Sequence, residues 1–124
     1  MTAWTTDELD RVGRAEELQI TTIRQDGSLR PWVPIWVVRV GDELIVRSFR
    51  GPDGAWYRHA TDGAHGRIRA GDVDRDVAFI PSTGTTAGVV DQAYRAKYGR
   101  YAGSYLEPML TDHAIAATLR LLAR

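Results

Sequence analysis

The stretch RSFRGPDGAWYRHA (47–60) concentrates the residue types most able to do chemistry in this chain. Within the strand-like run ELIVRSF, Arg47 shares a face with Ile45 and Phe49, a costly place for a charge unless something pairs with it. Asp53 is placed to cap a helix over 53–61, which would aim the N–H groups of Gly54, Ala55 and Trp56 out of the first turn. A helix start beside Arg47 and Arg50 suits an anion, and Trp56 and Tyr57 offer a flat surface to a ring system. The stretch therefore reads in two ways. It is a site for an anionic, planar ligand, or it is a corner where Asp53 only caps, Trp56 is core and the arginines pair with surface acids.

Other constellations say less. The chain has no cysteine, which excludes disulfides, thiol catalysis and Cys-ligated zinc or iron–sulfur centres. No serine sits in a Gly-x-Ser-x-Gly elbow. The segment GTTAG (84–88) resembles a phosphate loop in glycine content alone and lacks the lysine. His59, His65 and His113 share no metal-ligand spacing, so no metal site is assigned. Trp32 and Trp36 fall on one face of a strand, a placement suited to core or dimer interface as well as to a ligand wall.

Sixteen basic residues balance sixteen acidic ones, so no global field draws the chain to nucleic acid or an acidic membrane. Lys97 is the only lysine. Such a preference for arginine fits either phosphate and carboxylate recognition or the codon usage of a GC-rich genome. The opening residues MTAWTTDELD have neither a signal-peptide nor a transit-peptide pattern, and no apolar run approaches the roughly 20 residues of a membrane span. A soluble, cytoplasmic chain forming one domain over 1–124 is expected, long enough to hide roughly two-thirds of its unfolded surface.

The elements that must position these residues follow from pattern. Thr5 and Glu8 have capping-box spacing, with Trp4 available to staple onto Leu9, so a helix runs from there to about Ala15. Strands are predicted at LQITTIR (18–24), PWVPIWVVRV (31–40) and ELIVRSF (43–49), and after the helix at HGRIRA (65–70) and VDRDVAFIP (73–81). Asp26-Gly27, Gly41-Asp42 and Gly71-Asp72 supply turns, the mark of an antiparallel meander. In 32–40 both faces are largely apolar, which suits a small closed barrel covered by a helix or a second subunit. Pro34 removes a ladder donor, so this strand should bulge or border an opening. A helix over 86–98 stops at Gly99, 101–110 is irregular, and IAATLRLLA (115–123) reads as a closing strand. The expected order is α-β-β-β-α-β-β-α-β: mainly β with flanking helices, about six strands, the helices at the barrel openings.

Taken in order, ELQITTIRQDGSLRPWVPIWVVRVGDELIVRSFRGPDGAWYRHA resembles the first half of the FMN-binding split β-barrel proteins, with the nearest arrangement in the deazaflavin-dependent nitroreductase group. That group has a Thr-rich strand, a basic turn, two strands across a Gly-Asp turn, a Gly-rich loop and an Ala-Trp-Tyr helix. Here the basic turn is reduced to Arg30, with Asp26 close by. Over nearly the whole chain the sequence is identified as a member of an uncharacterised bacterial domain family, on Gly51-Pro52, Trp56-Tyr57, Ala93 to Tyr98, Tyr105-Leu106 and Pro108-Met109. The resemblance implies an antiparallel split barrel and a homodimer with FMN or a deazaflavin at the subunit boundary. It also implies a phosphate side formed by Arg30, Arg47, Ser48, Arg50 and Gly51. Trp36 and Trp56 are the candidate ring contacts, and Tyr57 and Tyr98 the candidate proton donors near the barrel mouth. The implied activity is an oxidoreductase passing a hydride to a small organic acceptor. The alternatives are a dimeric barrel that carries haem or a metabolite without turnover, and a cofactor-free enzyme using the same pocket.

Overall fold

The computed structural model describes residues 4–82, 87–101 and 105–124. Helix α1 spans Thr6–Arg14 and carries the expected capping box, Thr5 accepting from the Glu8 N–H while the Glu8 carboxylate accepts from the Thr5 N–H. Strands β1 (Leu18–Thr22), β2 (Val33–Ile35), β3 (Val38–Val40) and β4 (Glu43–Arg47) follow. A 3-10 turn at Gly51–Asp53 leads into α2 (Ala55–Gly63), and then come β5 (His65–Ala70) and β6 (Val73–Pro81). Helix α3 covers Ala87–Tyr98, α4 is the short Asp112–Ile115, and β7 (Thr118–Ala123) closes the chain. The start expected for α3 at Thr86 lies outside the described residues.

All pairings are antiparallel, and the seven strands run in the order β2-β1-β5-β6-β7-β4-β3. The two edge strands, β2 and β3, are separated in sequence by Trp36 and Val37 alone. A seven-stranded sheet whose opposite edges are joined by two residues must curl until those edges nearly meet, because the three steps from Ile35 to Val38 span at most about 11 Å. The curl leaves a seam without ladder hydrogen bonds between β2 and β3. This corrects the expectation of one continuous strand over 31–40. It also raises the strand count to seven, and it places Pro34 in an edge strand where its missing donor is tolerated. Nor is that run buried on both faces throughout: Val37 and Val38 are buried, whereas Pro31 and Pro34 are exposed.

Burial on both faces belongs instead to β4. Leu44 and Val46 join the barrel interior with Leu18, Ile20, Ile68, Val77, Phe79, Leu119 and Leu121. Ile45 points the other way, into a second cluster with Val38, Val90, Tyr94, Tyr98, Leu106 and Met109. This follows from the period-2 alternation of a strand. Helices α1 and α2 add Leu9, Val12 and Ala60 to the interior. Helix α3 packs on the outer face of β3 and β4. Among the described residues no helix is long and apolar enough to cross a membrane.

Two local expectations differ in detail. Gly54, not Asp53, is the N-cap residue of α2, and no side chain caps that helix. The Asp53 residue instead completes the preceding 3-10 turn. Within 111–117 the chain forms α4, capped by the Thr111 hydroxyl, so the closing strand starts at Thr118 rather than Ile115.

Candidate functional site

Beyond β4 the chain turns tightly. The Ser48 N–H donates to Ala117, Gly51 N–H to the Ser48 carbonyl at 2.9 Å, and Gly54 N–H to the Gly51 carbonyl at 3.1 Å. Gly51 has φ +67°, and a Cβ there would stand 2.3 Å from Cδ2 of His113, so the imidazole of α4 packs directly on this backbone. A Cβ on Gly54 would meet Ser48 Oγ at 2.4 Å. Both close approaches are permitted by glycine, and the second sets the Ser48 hydroxyl against the start of α2.

This corner borders a cavity of about 460 Å³ that also takes in Val33, Pro34, Ile35 and Trp36 at the seam, with Glu17, Tyr105 and Met109. Its volume lies within the usual range for small-molecule sites. The cavity sits where the two apolar clusters meet, since Trp56 packs on the interior and Trp36 on the outer cluster. The Trp36 ring stacks on Tyr98, centroids 4.0 Å apart and planes within 2°. Phe49 and Tyr105 also line the cavity and are 57% and 68% exposed.

Arg47 and Arg50 have different fates. Arg47 is 1% exposed. Its Nη1 donates to Asp91 Oδ1 at 2.5 Å and to the Met109 carbonyl at 2.9 Å, and its Nε to Thr118 Oγ1 at 3.1 Å. Nη2 lies 3.4 Å from the Ala87 carbonyl. Its charge is thus neutralised by Asp91, and its donors tie α3 and the 107–110 segment to the sheet. Arg50 is exposed, lines the cavity and makes no side-chain hydrogen bond or ion pair to a described residue. Ser48 is 1% exposed, and its Oγ is buried without a hydrogen-bond partner among the described residues. A buried hydroxyl left unpaired costs about 1–3 kcal/mol, and Ser48 is one of the residues that border the cavity.

The remaining sequence candidates are dispersed. Arg30 donates to Thr22 Oγ1 and to the Ile23 carbonyl, and borders a separate hollow with His59, Asp62 and His65. Tyr57 meets Trp56 edge-on at 6.2 Å, and its hydroxyl lies 3.5 Å from the Ala116 carbonyl. It does not line the cavity. Tyr98 is buried, accepts the Val37 N–H and lies within 2.9 Å of the Glu16 carbonyl. Burial holds its pKa well above the ordinary tyrosine value. The structure therefore brings together Trp36, Ser48, Arg50 and Trp56, with Arg47 behind them and Gly51 in the turn, but not Arg30 or Tyr57. Glu17, Phe49 and Tyr105 are cavity residues that the sequence analysis did not propose as ligand contacts. Among the described residues no group of three or more His, Cys, Asp or Glu stands ready to hold a metal ion.

The architecture is a split β-barrel, a fold shared with solved structures that include an F420-dependent reductase and an FAD-binding protein. The chain belongs to the family described as "Uncharacterized protein conserved in bacteria (DUF2255)", whose model matches residues 8–121. No curated protein sequence matches it. Among solved structures, it is similar to an F420-H2 dependent reductase (FDR-A), at 19% identity and TM-score 0.64, over 86% of this chain and 93% of that one. A protein solved as a domain-swapped dimer has 20% identity and TM-score 0.64, over 95% and 87%. An FAD-binding protein from Mesorhizobium loti has 14% identity and TM-score 0.58, over 99% and 92%. At such identities the likeness establishes the fold.

Proposed function

We propose that this chain binds FMN or a deazaflavin in the seam cavity and acts as an oxidoreductase that passes a hydride to a small organic acceptor. The observation that carries the reading is the coincidence, on one cavity, of two tryptophans, an uncommitted arginine and an unpartnered buried hydroxyl. These residues suit a flat ring system bearing a phosphate. Arg50, Ser48 Oγ and the uncapped first turn of α2 would receive the phosphate, while Trp36 and Trp56 would flank the ring. The bound ring supplies the redox chemistry; the side chains bind and orient it and exclude water. Arg47 acts through the fold, because its donors are already taken. That solved neighbours include an F420-dependent reductase and an FAD-binding protein supports this reading.

The functional unit in this proposal is a homodimer. Exposed Phe49 and Tyr105 leave one side of the cavity apolar and open, a surface suited to cover by a second copy. A neighbour of the same fold being a domain-swapped dimer supports it. Light scattering should give about twice the 13.8 kDa chain mass at micromolar concentration, and a value near 13.8 kDa would contradict the dimer.

The cofactor is tested by the absorbance spectrum of the purified protein, followed by mass spectrometry of whatever denaturation releases. A yellow flavin-type band, native or gained on reconstitution with FMN or F420, is expected. A protein that takes up neither has a different ligand, and a sharp haem band would replace the reading with that of a carrier.

A further inference from the structure

Glu16 and Glu17 are adjacent carboxylates with opposite circumstances. Glu16 is held by Arg100 and by the Tyr101 hydroxyl, and the Tyr101 hydrogen bond, helped by Arg100, keeps its pKa below the ordinary carboxylate value. Glu17 makes no hydrogen bond or ion pair to a described residue, and it lines the seam cavity. The same cavity presents Arg50, equally uncommitted, on walls that are otherwise largely aromatic and aliphatic. An apolar cavity with one free anion and one free cation sets a definite requirement on whatever fills it. Glu17 and Arg50 are both exposed in the free chain, so a flat ligand that covers Glu17 takes away part of a carboxylate's hydration, which is unfavourable unless the ligand returns a donor or a positive charge. A ligand bringing further negative charge to that edge would be rejected for the same reason.

We propose that Glu17 is the specificity-determining residue of the cavity: it selects planar ring ligands whose edge carries a cationic or N–H-donating group, while Arg50 receives an anionic substituent. The inference deepens the reading of this cavity as the ligand site and rests on it, but it concerns the chemistry of the ligand rather than the identity of a cofactor. It gives a substrate class, aromatic or heteroaromatic rings with an amine, amidine or ring N–H. It also predicts poor tolerance of polyanionic tails on that side.

The test is calorimetric titration of the full chain with three ring probes of one shape: 2-naphthamidinium, 2-naphthamide and 2-naphthoate. Wild type should bind the amidinium roughly tenfold or more tighter than the neutral amide, the range of one charge-assisted hydrogen bond. In Glu17→Gln that preference should disappear while naphthoate binding is kept or improved. In Arg50→Gln naphthoate should weaken and the amidinium preference should survive. Equal affinity of wild type for amidinium and amide, retention of the preference in Glu17→Gln, or no binding of any probe would each overturn the proposal. Parallel FMN reconstitution separates the two readings. Flavin uptake without an amidinium preference removes this inference alone, and an amidinium preference without flavin uptake removes the flavin reading alone.

Discussion

Arg47 and Arg50 lie three residues apart, yet the regions they serve are built on opposite terms. On the outer face of β4, Arg47 is buried and its guanidinium is shared among Asp91, Thr118, Met109 and Ala87. In the corner that follows, Ser48 Oγ and Arg50 have no side-chain partner among the described residues, and Glu17 across the seam has none either. In the first region the guanidinium of Arg47 is saturated and holds the fold together, although the Tyr94 hydroxyl beside it is itself buried without a partner among the described residues. The second leaves Arg50 and Glu17 exposed, so their charges are available to a ligand, while Ser48 Oγ is buried behind them. Residue type alone cannot separate the two, since both centre on an arginine beside an aromatic.

The comparison is broken most severely by removing a partner from the saturated side. Asp91→Ala strands a buried guanidinium without its counter-charge and should cost about 3–5 kcal/mol. Urea unfolding measures this; a loss under about 0.5 kcal/mol would show that the carbonyl acceptors alone suffice. Tyr98→Phe keeps the ring that stacks on Trp36 but leaves the buried Val37 N–H without its acceptor. It should cost about 1–3 kcal/mol and leave flavin affinity and turnover unchanged. Loss of turnover at unchanged stability would restore Tyr98 as the proton donor that the sequence suggested.

A further expected effect is one of pH. Lys97 donates to the Val37 carbonyl at 2.7 Å, and burial lowers its pKa from 10.5 to about 8, against the opposing pull of Glu16. Below pH 8 both states are protonated and the folded state bears the full penalty of the buried charge. Between about 8 and 10 the folded chain has released a proton that the unfolded chain retains, so stability rises with pH. Above the ordinary tyrosine value of 10, Tyr94 and Tyr98 reverse the trend, because burial raises both in the folded state. Thermal midpoints across pH 7–11 should show that rise and fall, and Lys97→Met should flatten the rise. A wild-type profile that falls from pH 8 would contradict the assignment.

The sequence was legible where local rules decide. The β5–β6 hairpin appears at the predicted boundaries because a Gly71-Asp72 turn joins two alternating strands, Ala70 pairing with Val73. The capping box of α1 is equally local. The 31–40 run was not legible as two strands, since nothing in its composition says that the sheet's two edges meet there; that is a consequence of closure around the whole barrel. The site was half legible. Trp36, Ser48, Arg50 and Trp56 converge on the cavity, but the partner that neutralises Arg47 stands 44 residues away on α3. Glu17 escaped notice because its meaning depends on Glu16 being taken by Arg100 and Tyr101 from the far end of the chain.

The central claim is that the open corner, and not the saturated arginine, holds the phosphate of a flavin-type ligand. Titration of wild type and Arg50→Ala with FMN, F420 and riboflavin, alongside thermal midpoints, tests it most directly. Wild type should prefer at least one phosphorylated form to riboflavin. Arg50→Ala should weaken that form roughly ten- to a hundredfold, leave riboflavin unchanged and shift stability by less than about 0.5 kcal/mol. If wild type prefers neither phosphorylated form, or Arg50→Ala binds both as wild type does, the corner is not an anion site and the account of this cavity is wrong.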